Sequence, residues 1–230
     1  MWTTEKYQKF LEELKKIGNE QYISFSKKIT TSEKEMIGVT IPNLRIFAKD
    51  IAKTDFESFL KFYNAYYFEE TMLYGLTLGY IKDINILEKY LIPYAKEVTD
   101  WSLCDSPAMS MKLVGKNPER FLPHIKKLLE SNKEFEVRFG LILLLAHYMK
   151  KEYIDYIIKV WISIKSDKYY INMALAWIIC ECYIKFPEET EKYISNKYLD
   201  KFVLNKSISK ICDSFRVDKD KKELLKKRRI

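Results

Sequence analysis

The feature that most restricts the fold is a spacing. The tripeptides YIK at 80–82, VGK at 114–116, YMK at 148–150 and YIK at 183–185 place a lysine at 82, 116, 150 and 185, each closing a strongly apolar segment, at intervals of 34, 34 and 35 residues. A period in this range with two helices per unit belongs to an α-solenoid, because one helix pair cannot bury its apolar face alone and must stack on its neighbours. The segments between these marks repeat apolar residues at three- and four-residue steps, as in Phe121, Ile125, Leu128 and Leu129, and in Ile154, Ile157, Ile158 and Trp161. That is the period of a helix. Breaks are expected at IPN (41–43), IPYAK (92–96), KNPERF (116–121) and KFPEET (185–190), where proline opens or precedes a helix and acidic residues follow. Only six glycines and six prolines in 230 residues leave little material for the turns of a sheet-rich fold. The expectation is an all-α solenoid of antiparallel helix pairs, in one repeat domain over residues 1–230.

A hydrophobic fraction of 47% fills a real core at this length, and a formal charge of +8 favours a polyanionic partner, nucleic acid first. The bland counterpart is a generic lysine-rich surface. The tail from 216 to 230 carries eight basic and three acidic residues, which is consistent with phosphate contact, although a solvated, frayed end is the commoner fate of such a terminus. Cys104, Cys180, Cys182 and Cys212 form no CxxC pattern, and His124 and His147 lie far from them in sequence, so neither a metal nor a cofactor site is expected. The amino terminus lacks an apolar signal core, and the longest greasy run, 139–149, is too short to span a bilayer. A cytoplasmic, monomeric protein with reduced thiols and no membrane partner is the expectation.

Within the repeat frame, Trp101 and Asp105 lie 15 and 11 residues before Lys116, Arg138 lies 12 before Lys150, and Trp177 lies 8 before Lys185. All four are expected on second helices of successive units. The stretch TDWSLCDSPAMSMK (99–112) reads as one helix, with Trp101 and Asp105 at i and i+4 on a face that Lys112 continues, and with Thr99 or Asp100 as its cap. A half-buried tryptophan beside a solvated aspartate explains the pair as well as a site does. Arg138 interrupts a very apolar helix, which calls for an anion or a carboxylate such as Glu134. Trp177, in NMALAWIICECY, sits among small and aliphatic residues, where core packing is the commoner fate. Lys206 and Lys210 share a face at i and i+4. Ser24 and Lys27 match SxxK without companion motifs, and the glycines form no phosphate-cradling loop.

The ordered set of W-x3-D at Trp101 and Asp105, VRFG with Arg138, ALAW with Trp177 and the following KFPEE resembles the AlkD-type DNA alkylation repair family. The resemblance extends over MIGVTIPNLRIFAKDIAK (36–53) and NKSISKICDSFRV (205–217). It implies a HEAT-like solenoid that binds duplex DNA containing alkylated purines in a concave basic groove, and a glycosylase that excises N3- and N7-alkylated purines without flipping the base into a pocket, unlike most glycosylases. It implies Asp105 as the catalytic carboxylate, Trp101 and Trp177 as aromatic walls against the deoxyribose, and Arg138 as a backbone phosphate contact. Lys206 and Lys210 join Arg138 as candidate DNA-binding residues. Cys180 stands where the family pattern carries an arginine. Two other classes compete: a non-catalytic solenoid for distorted or branched DNA, and a protein-interaction scaffold on the same surface.

Overall fold

The computed structural model describes residues 1–230 and contains fifteen α-helices, two 3-10 turns and no strand. It is an all-α helical repeat fold. In chain order the helices are α1 (Thr4–Lys16), α2 (Glu20–Ile29), α3 (Ile41–Lys53), α4 (Phe56–Leu60), α5 (Phe68–Leu78), α6 (Ile84–Glu97), α7 (Trp101–Ser110), α8 (Lys112–Lys116), α9 (Pro118–Leu129), α10 (Glu134–His147), α11 (Ile154–Ser163), α12 (Tyr169–Lys185), α13 (Pro187–Thr190), α14 (Lys201–Asp213) and α15 (Lys219–Lys226). The chain forms two compact units, 1–124 and 125–230, with the division falling inside α9. No helix is long and apolar enough to cross a membrane.

In the first unit, α3, α5 and α7 pack in a row, while α4 and α6 lie against α3 and α5 respectively. The division of labour follows from burial pattern. Every residue of α5 is buried, so it carries no polar stripe, whereas α6 buries only Leu87, Leu91, Tyr94 and Ala95 and turns its other face to water. Two carboxylates open α5 inside the core. Glu69 accepts the amides of Ile37, Gly38 and Val39 at 2.9, 2.7 and 3.2 Å, and Glu70 accepts the phenol of Tyr7 and the amide of Tyr67. Several donors on one carboxylate make its burial tolerable. Gly38 has φ +90°, a conformation closed to most side chains, and this lets the 37–39 amides converge.

In the second unit, α10, α12 and α14 form the equivalent row. Eight consecutive residues of α10, Val137 to Leu144, are buried, as are ten of the seventeen in α12. The apolar stripe expected at Ile154, Ile157, Ile158 and Trp161 is buried on α11. The lysine that marks the repeat has a local job here: the Lys185 ammonium donates to the Met149 carbonyl, 36 residues back, at the end of the preceding repeat.

Four expectations need correcting. IPYAK is not a break, because Pro93 lies inside α6. Pro93 is exposed, so the Lys89 carbonyl that loses its amide partner faces water, which satisfies it. Residues 99–112 are not one helix, since α7 stops at Ser110 and Met111 (ψ 61°) separates it from α8. The Ser110 hydroxyl donates to the Ser106 carbonyl and also accepts from Arg45 of α3 at 2.8 Å, so local bonds compete with helix continuation and Lys112 leaves the face of Trp101. Trp177 is half-buried rather than in the core. The tail is not frayed: α15 inserts Leu225, the Arg228 guanidinium binds the Glu191 carboxylate at 2.8 Å, and the Ile230 amide and carbonyl both bond to Asn205.

Candidate functional site

In the first unit the candidate pair sits at the start of α7. Asp100 is the N-cap and is fully buried, and its Oδ1 accepts the amide of Ser102 at 2.8 Å as well as the Ser102 hydroxyl. Its other oxygen accepts the amide and hydroxyl of Thr31 at 2.8 and 3.2 Å. One carboxylate therefore caps α7 and ties down the chain leaving α2. Trp101, the first helical residue, donates from its indole nitrogen to the Ile29 carbonyl at 2.8 Å, which satisfies the end of α2 and sets the ring's orientation. Asp105 follows one turn later, and both residues are half-buried.

The buried side of α7 is closely packed. Pro107 lies inside α7 and has no amide to give the Leu103 carbonyl, and the phenol of Tyr94 donates to that carbonyl instead. Burial pushes the Tyr94 phenol well above its ordinary value, so it stays a donor. Gly75 of α5 makes room: a Cβ there would fall 2.2 Å from Tyr94 Cζ and 2.7 Å from Pro107 Cβ.

In the second unit the four remaining candidates occupy the row α10, α12 and α14. Arg138 is buried and donates from Nη1 to the Tyr170 carbonyl at 2.8 Å, with its guanidinium 5.8 Å from the centre of the Tyr170 ring. Glu134, one turn earlier on α10, accepts the Tyr170 amide at 2.6 Å. The two residues thus clasp both backbone groups of Tyr170 and cap the start of α12 from outside it. Trp177 lies two turns further along α12. Cys180 is buried, and burial pushes its thiol up to about 11, so it is an inert packing group rather than a nucleophile. Lys206 is exposed and Lys210 half-exposed on α14.

Sequence reasoning missed Thr31, Ile29, Tyr94 and Tyr170, which fix the orientation of the candidates. Their contacts join residues up to 72 apart, and nothing local announces them. The one available signal was Pro107: a proline inside an apolar helix requires a substitute donor for the carbonyl four residues back.

A family model described as DNA alkylation repair enzyme matches residues 10–211 of the chain. No curated protein matches the sequence.

Proposed function

The chain belongs to the DNA alkylation repair enzyme family, and on that premise we propose that it is a DNA glycosylase hydrolysing the N-glycosidic bond of cationic N3- and N7-alkylated purines in duplex DNA. Its role lies in DNA alkylation repair, with DNA as its partner.

The chemistry suits these residue types. A purine alkylated at N3 or N7 carries a positive charge, so its bond to C1′ breaks with the electron pair moving to the base, which leaves neutral without protonation. Positive charge then grows on the sugar. Asp105 stabilises that charge and orients a water whose oxygen forms the new bond to C1′ while a water proton is lost to the carboxylate. Trp101 holds the cationic nucleotide by apolar and cation–π contacts worth on the order of 0.5 to 2 kcal/mol, and Trp177 is the half-buried tryptophan by which the second unit offers DNA the same kind of contact. Arg138, Lys206 and Lys210 attract the phosphodiester backbone.

The observation that carries this reading is the fixed indole one turn from a half-buried carboxylate: the bond from Trp101 to Ile29 and the double use of Asp100 hold the start of the helix that bears Asp105 in place. Wild type is expected to release 7-methylguanine or 3-methyladenine from methylated duplex DNA. Asp105→Asn is expected to slow release by about 100-fold or more, the usual scale for removing a transition-state electrostatic group, with duplex affinity kept. Wild type that releases no base above background overturns hydrolysis. Binding that weakens steeply with salt, without base release, would give the non-catalytic DNA-binding role instead.

A further inference from the structure

A chain of aromatic rings crosses the helix row of the second unit. Phe135 lies 5.2 Å from Tyr170, Tyr170 lies 5.1 Å from Tyr169, and Tyr169 lies 6.0 Å from Phe202, centre to centre. The rings come from the first turns of α10, α12 and α14, so the helix packing sets their spacing. Two cations are interleaved with them: the Arg138 guanidinium lies over Tyr170 at 5.8 Å and the Lys206 ammonium over Phe202 at 5.9 Å. The strip is not core. Tyr169 is 54% exposed and Phe202 38%, large values for side chains that would lower their free energy by turning inward.

We propose that this strip is a binding site for unpaired nucleotides of a DNA strand, with Tyr169 and Phe202 as stacking platforms and Lys206 serving the adjacent phosphates. In a paired duplex each base face is covered by its neighbours, so an exposed ring gains stacking only from a base that has left the stack. The exposed Lys206 ammonium, on a chain of net charge +8, makes the strip complementary to a polyanion rather than to an apolar peptide, while Arg138, buried and bonded to the Tyr170 carbonyl, fixes that residue in place. The inference shares the DNA partner of the proposed function and makes no use of its hydrolytic step. It gives the protein a preference for DNA that contains a gap, flap or extruded nucleotide.

The test is fluorescence anisotropy with a labelled single-stranded oligothymidylate, an intact duplex and a duplex bearing a short gap. Wild type binds the single strand and favours the gapped over the intact duplex. Replacing both rings with leucine, Tyr169→Leu with Phe202→Leu, keeps apolar area but removes the π-faces, and is expected to weaken single-strand binding by about tenfold or more. Tyr169→Trp with Phe202→Trp retains it. Intact-duplex affinity and release of methylated base stay unchanged in both, which also reports that the variants are folded. Equal single-strand affinity of wild type and the leucine variant overturns the proposal, as does equal affinity of wild type for gapped and intact duplex. A wild type that binds single strands through these rings yet releases no methylated base would refute the glycosylase reading and leave the strip standing.

Discussion

Pro107 shows how much one residue can require of its surroundings. With no amide of its own it orphans the Leu103 carbonyl in the middle of α7, and the buried phenol of Tyr94 supplies the missing donor. Tyr94→Phe removes that donor and keeps the ring. It is expected to lower stability by about 1 to 3 kcal/mol, the cost of leaving one buried acceptor unpaired, measured by urea unfolding. Because Tyr94 of α6 meets α7 on its buried side, where Pro107 lies, the same variant should leave duplex binding intact. A stability unchanged within about 0.5 kcal/mol would mean that water reaches Leu103 and that Tyr94 has no such role. The aspartate at 105 and the two tryptophans stood out in the sequence itself. The partners of such residues did not, since a side chain 9 or 72 positions away leaves no trace in local periodicity.

At the scale of the element, α2 is the least anchored helix: none of its residues is buried, whereas every residue of α5 is. What holds α2 is polar. Asn19 caps its start, Asp100 and Trp101 hold its end, and Glu69 gathers the backbone at 37–39 that follows. Asp100→Ala removes a cap worth about 1 kcal/mol from α7 and frees Thr31 at once. Hydrogen exchange should therefore speed up across residues 20–31 and the first turn of α7, while the amides of α5 stay as protected as in wild type. Unaltered exchange in 20–31 would show that Asp100 serves α7 alone. Helix identity was readable here from capping residues and three- to four-residue steps. The break at Met111 and the continuity through Pro93 were not, because each depends on which side of the helix meets water or the side chain of Arg45.

For the whole molecule, the net charge of +8 and the DNA partner shared by the family make binding electrolyte-sensitive. If Lys206 and Lys210 each neutralise one phosphate, Lys206→Ala with Lys210→Ala should flatten the dependence of log affinity on log salt by about 2, without altering helix content. An unchanged slope would remove both lysines from the DNA-binding surface. The sequence by itself determined the class: apolar residues at three- and four-residue steps, with few glycines and prolines between them, specify helices along the whole chain, and that requirement is local. It also determined the family, through short motifs in a set order. Only the tertiary structure decided what each residue meets. It buried Arg138 against Tyr170, left Trp177 half-open despite its greasy neighbours, docked a lysine-rich tail through Leu225, and aligned Phe135, Tyr170, Tyr169 and Phe202 across three helices. Periodicity reports which face of a helix avoids water. It carries no record of which neighbour covers that face, and the neighbour sets the chemistry.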